Sequence, residues 1–128
     1  MSSIKIIHSD DAPKAVGPYS QAVVSDGVLY ASGQIGLDPQ AGRLVGDDVV
    51  SQARQVTKNL SAVLAEAGIP LNKVLKVNIF LTDMGDFPLV NEIYAQWLGE
   101  HRPARATVAV AALPLAAKVE MDLLASAD

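Results

Sequence analysis

Arg105 is the residue whose surroundings say most about chemistry. It opens a run that is otherwise alanine, threonine and valine, through Ala106, Thr107, Val108, Ala109 and Val110. A guanidinium beside apolar surface needs an anionic partner or a route to water. Its planar fork matches a carboxylate through two parallel hydrogen bonds. Arg105 is therefore either the anchor of a small anionic ligand or one half of a structural ion pair. Glu120 poses a similar choice between Val119 and Met121. A carboxylate there orients a water or acts as a general base, or else it joins Lys118 and Asp122 in a solvated charge row. In Ser32-Gly33-Gln34, Gly33 lets a ligand approach the backbone closely and Ser32 offers a hydroxyl, the alternative being a bulge. Gly17-Pro18 is a rigid break that holds Tyr19 over a pocket or packs it, half-buried, on the core. Asn91, one residue after Val90 and three before Tyr94, borders an apolar helical stripe, where an amide braces a loop or joins a site.

Other chemistries find no residues. The chain has no cysteine, which excludes a disulfide scaffold, a thiolate metal site and a cysteine nucleophile. His8 and His101 are far apart and lack ligand spacing, so no metal is expected. There is no phosphate-binding glycine loop, and no nucleophile elbow offers a catalytic serine. With 10 Lys+Arg against 14 Asp+Glu the net charge is -4, which argues against a surface built to neutralise nucleic-acid phosphates. No apolar run approaches the roughly 20 residues of a membrane helix, and the N-terminus lacks a secretory apolar stretch. A cytoplasmic protein is expected.

These residues must be positioned by one domain over 1–128. Short β-prone runs at 4–8, 20–25 and 28–34 come first, the last two joined by Asp26-Gly27, a strong signal for a type I′ hairpin. A loop at 36–46 precedes a helix that Asp47-Asp48 opens and Gly68 and Pro70 close. Its apolar stripe is Val49, Ala53, Val56, Leu60, Val63, Leu64 and Ala67, with Gln52, Gln55, Lys58, Asn59 and Glu66 on other faces. The run 74–82 alternates Leu75, Val77, Ile79 and Leu81 with Lys76, Asn78 and Thr82 and predicts a strand. A second helix spans 86–98, striped by Val90, Ile93, Tyr94 and Trp97, and strands follow at 105–112 and 118–125. The order β-β-β-α-β-α-β-β predicts an α+β fold, a mixed sheet with both helices on one face. Mean hydropathy is +0.25 although aromatics are only 5%. Either the core is rich in alanine, or the free sheet face is covered by another copy.

The motifs Gly17-Pro18-Tyr19-Ser20-Gln21-Ala22, Ser32-Gly33-Gln34-Ile35-Gly36, Val90-Asn91-Glu92-Ile93-Tyr94, Pro103-Ala104-Arg105-Ala106 and Val110-Ala111-Ala112-Leu113-Pro114 occur in this order. Together they resemble the Rid, or YjgF, family, and within it the RidA-type imine deaminases. The resemblance implies a chorismate-mutase-like fold and a homotrimer packed through its sheets, with clefts between subunits. It also implies hydrolysis of 2-iminobutanoate and 2-iminopropanoate to 2-keto acids and ammonia, with no metal or cofactor. By the same resemblance Arg105 grips the substrate carboxylate and Glu120 positions the attacking water. Tyr19, Ser32 and Gly33 line the pocket and Asn91 is the helix amide. Thr107 stands where many members have cysteine, and Arg102 where phenylalanine commonly precedes Pro-Ala-Arg. A ligand-binding or regulatory trimer for 2-keto acids is the alternative. An endoribonuclease or translation inhibitor, names also attached to the family, ranks below both because of the net charge.

Were the last two strands a hairpin centred near Leu115, Arg105 would face Ala125. Glu120 would then lie about five positions along, roughly 16 Å at about 3.3 Å per residue. That is far for one small ligand, so the two groups serving a ligand are expected to come from different subunits.

Overall fold

A computed structural model describes residues 3–128. The first two residues of the N-terminal segment read above for a leader lie outside them. Eight regular elements follow in chain order: β1 (Lys5–Ile7), β2 (Ala22–Ser25), β3 (Val28–Ile35), α1 (Val49–Glu66), β4 (Val74–Leu81), α2 (Phe87–Leu98), β5 (Ala104–Ala109) and β6 (Val119–Ser126). The strands form one sheet in the order β1-β2-β3-β6-β4-β5. Every neighbouring pair is antiparallel except β4 and β5, which are parallel. Asp26 and Gly27 both take positive φ, 51° and 78°, as the type I′ turn between β2 and β3 requires. Asp48 caps α1 by accepting from Ser51 N at 2.8 Å, and Gly68, at φ 73°, ends it.

Both helices cover one face of the sheet, α1 lying on β3 and β6 and beside α2. Between them sit Val56, Leu60 and Val63 of α1, Val77, Ile79 and Leu81 of β4, and Val119, Met121 and Leu123 of β6, all buried. This is the α+β arrangement expected. No helix among the described residues is long and apolar enough to cross a membrane.

Two expectations are corrected, and one reading is sharpened. Leu75 does not face the core: it is 48% exposed while Val74 is buried, because the β4–β6 register shifts between Val74 and Lys76. β5 stops at Ala109 rather than running to 112, since β4, beside which it lies at the sheet edge, ends there, with Leu81 in register with Ala109. Gln52 and Asn59, off the apolar stripe of α1, are nonetheless buried. Their amides satisfy loop backbone that could reach neither water nor a ladder. Gln52 donates to Gly46 O (2.9 Å) and accepts from Lys118 N (2.8 Å). Asn59 donates to the carbonyls of Ile35 and Leu37.

Gly36 is where α1 meets the end of β3. A Cβ there would stand 2.8 Å from the Gln52 Cα and carbonyl oxygen, a backbone clash that only movement of the helix relieves. Gly36→Ala is expected to destabilise the fold by about 2 kcal/mol, read as a lower urea midpoint with an unchanged slope.

Candidate functional site

Arg105 lies in register with Val77 of β4, and Val77 with Leu123 of β6. Both of these neighbours are buried under the helices. Arg105 therefore leaves the sheet on the helix side, at its open edge, and meets α2. Its Nη1 donates to Asn91 Oδ1 at 2.7 Å. The guanidinium also lies over two rings, 5.2 Å from the centroid of Phe87 and 5.0 Å from that of Tyr94, a favourable placement for a cation. Asn91 sits one turn before Tyr94, so a single helix face supplies the amide and one ring. Among the described residues Arg105 makes no ion pair, leaving its remaining donors available to an anion. Arg102 is occupied differently. It donates to the carbonyls of Gly99 and His101, where the C-terminal end of α2 favours positive charge. A cleft of about 510 Å³ is bounded by Asn91, Tyr94, Ala95, Arg102, Pro103 and Arg105.

Thr107 follows Arg105 on the same side of β5, in register with buried Ile79. Its Oγ1 and the Tyr94 hydroxyl are both buried without a hydrogen-bond partner among the described residues. Burial pushes the Tyr94 phenol up, against the opposing effect of the Arg105 cation.

Glu120 occupies the other face. It is in register with Ile35 on one side and Phe80 on the other. The β3–β6 register slips between Ala31 and Gln34, so Ser32 and Gly33 stand together opposite Asp122 as a bulge. The bulge swings the Gly33 Cα under the Glu120 carboxylate. A Cβ on Gly33 would collide with Glu120 Oε2 and lie 2.9 Å from Cδ, so only glycine leaves the carboxylate where it is. Burial, and secondarily Asp122, pushes the Glu120 carboxyl above the usual range. Asp122 is itself held by Asn78 Nδ2 at 2.8 Å.

Ser32 spends its hydroxyl on Ser20 O (2.6 Å), and its backbone N–H on Gln21 O (2.9 Å). It braces the turn that carries Tyr19 and does not line the cleft. Tyr19 is half-exposed and, with Gly33, Gln34, Leu115 and Glu120, borders a second cleft of about 490 Å³. The far wall is tied down by Gln21, which is buried, accepts from Ser9 N and donates to Ser9 O and Pro13 O.

The structure thus brings Tyr19, Gly33 and Glu120 together, and places Arg105, Asn91 and Thr107 together. It does not join the two groups, which lie on opposite faces of the sheet. The hairpin geometry considered for the last two strands does not occur, because β4 lies between β5 and β6. The roles of Phe87 and Tyr94 around Arg105, and of Gln21, Gln52 and Asn59 as bracing amides, were not read from the sequence. Polar amides at core-facing helical spacing were the available signal for the last two.

A guanidinium cleft at the sheet edge and a carboxylate cleft on its free face set a cation and an acid on opposite sides of a small α+β domain. The chain belongs to the Rid (YjgF) family: the family model described as Endoribonuclease L-PSP matches residues 9–127. It is 54% identical over 123 residues to Protein DfrA of Myxococcus xanthus, covering 94% of each chain. It is 50% identical over 127 residues to the 2-iminobutanoate/2-iminopropanoate deaminase of Mus musculus, covering 98% of this chain and 94% of that one. The solved structure of the Rid-family protein YyfA from Yersinia pestis superposes with a TM-score of 0.95 at 46% identity, over 97% of this chain and 99% of the other.

Proposed function

We propose that this protein is a cytoplasmic homotrimer that hydrolyses reactive 2-imino acids, 2-iminobutanoate and 2-iminopropanoate among them, to 2-keto acids and ammonia. One observation carries the reading. The unpaired Arg105 and the half-buried Glu120 face away from each other within one chain, so a small ligand reaches both only between two copies. The free sheet face supports such packing: Ile6, Tyr30 and Val108 are exposed on it, and Phe80 and Leu124 half-buried.

In this account Arg105 of one copy, steadied by Asn91, grips the substrate carboxylate. Glu120 of the next copy accepts a hydrogen bond from a water and aims it at C2. As the water oxygen bonds to C2, Glu120 takes its proton and the C=N π electrons move to nitrogen. The same carboxyl then returns the proton to nitrogen. In the collapse of the tetrahedral 2-amino-2-hydroxy acid the hydroxyl proton passes through Glu120 to the departing nitrogen, the oxygen electrons form the C=O bond as the C–N bond breaks, and ammonia and the 2-keto acid are released. A protonated imine is already electrophilic, so orientation and well-placed charge suffice without a strong nucleophile. The net charge of -4 weighs against RNA as substrate. Neither His8 nor His101 borders either cleft.

The test generates 2-iminobutanoate with threonine dehydratase and traps it with semicarbazide. The protein is expected to suppress trapping catalytically. Saturable binding of 2-ketobutyrate without suppression would replace the enzyme with a ligand-binding trimer. Gly33→Ala adds a sharper expectation. Displacing the Glu120 carboxylate by about an ångström should cost about a hundredfold in kcat/KM. The melting temperature should hardly move, because the group displaced is the end of a side chain.

A further inference from the structure

The carboxylate and the C=N group are common to every 2-imino acid, so a preference among them must be read from the side chain. The Glu120 cleft has a wall suited to that task, made of Val16, Tyr19, Ile35, Leu37, Pro114 and Leu115. Leu115 is its unusual member. Its backbone is left-handed at φ 56°, ψ 27°, and Ala116 follows at φ 58°. Side chains with a Cβ rarely adopt that region, and a branched, bulky one less than most. Such conformations persist where the surroundings impose them, and here they do. Ala116 N and Ala117 N donate to Leu113 O and Pro114 O, Ala117 is buried, and Lys118 N is clamped by Gln52. The loop is fixed at its base, yet the side chain it strains to present is 64% exposed. Packing within the chain does not account for a leucine there.

We infer that Leu115 is a specificity-determining residue, and that the cleft selects 2-imino acids with a branched aliphatic side chain over those with a methyl group. The inference rests on the imine-hydrolase reading above. A methyl fills little of a cleft of about 490 Å³. Each methylene that contacts the apolar wall should raise kcat/KM about fourfold.

The experiment generates imines with D-amino acid oxidase and catalase from D-alanine or D-leucine, whose imines are achiral at C2, and competes the protein against semicarbazide. The parent is expected to favour the leucine-derived imine over the alanine-derived one by more than about tenfold in kcat/KM. In Leu115→Asn, which tolerates the left-handed backbone, that ratio should fall about tenfold. Leu115→Ala serves as the second variant, and melting curves establish that both fold. Equal use of the two imines, or a ratio unmoved by either variant, overturns the inference while leaving imine hydrolysis standing. Should neither imine be hydrolysed, the hydrolase reading fails. Calorimetric titration with 4-methyl-2-oxopentanoate and pyruvate then decides the selectivity alone. Tighter binding of the branched acid that is lost in Leu115→Asn supports it, and equal binding overturns it.

Discussion

Arg105→Ala is expected to lower kcat/KM for 2-iminobutanoate about a thousandfold, the scale of removing one partner from a desolvated charge pair. The loss should appear chiefly in KM, because the carboxylate is held in the ground state and in the transition state alike. Melting should shift by only a few degrees, since Arg105 is exposed and its chain partners are one amide and two ring faces. Arg105→Lys keeps the charge and loses the fork. It should recover only a small part of the activity, which separates gripping a carboxylate from merely attracting an anion. Steady-state rates beside melting curves check both variants.

Glu120→Gln carries the second large effect, about a hundredfold to a thousandfold in kcat, because the amide cannot accept the water's proton. The parent's activity should fall on acidification along a limb lying above the ordinary glutamate value of 4.5, since burial raises this carboxyl. That limb should vanish in the variant. Stability should move the opposite way. Below the ordinary value the carboxyl is protonated in the folded and the unfolded chain and contributes nothing. Above its raised folded value the group is ionised in both, and only the folded chain bears the burial of the charge. Ionised Glu120 thus destabilises the fold near neutrality. Glu120→Gln should melt higher than the parent there, with the advantage fading as pH falls through the raised value toward 4.5. A residue costly to the fold and needed by the reaction is the pattern of a site, and melting curves across pH test it.

Local signals in the chain were reliable. Asp26-Gly27, the two aspartates before α1, the stop at Gly68 and the alternation along β6 each depend on residues close in sequence, and each led to the observed element. The candidate site was legible as a set of residues: Arg105 with Asn91, and Glu120 with Gly33 and Tyr19, do share clefts. The assembly of those residues was not legible. That β4 enters between β5 and β6 is a long-range pairing, with Leu123 set against Val77, and no local pattern encodes it. The inward turn of Gln52 and Asn59 depends on which loop carbonyls need donors once the chain is folded. Leu115 and Ala116 take the left-handed region without the glycine that normally announces it. Ser32 showed a hydroxyl in its sequence but not that Ser20 O would claim it.

The most direct test of the central claim, that each site joins Arg105 of one copy to Glu120 of another, is subunit complementation. Arg105→Ala and Glu120→Gln chains are co-expressed in equal amounts with different tags, and mixed oligomers are isolated and assayed. In a head-to-tail ring of three, every mixed oligomer has one site in about three that pairs an intact Arg105 with an intact Glu120. The isolated mixed oligomers should then recover about a third of the parent's activity, although each variant alone is nearly inactive. Mixed oligomers that stay at the level of the two single variants would contradict the account and return both groups to one chain.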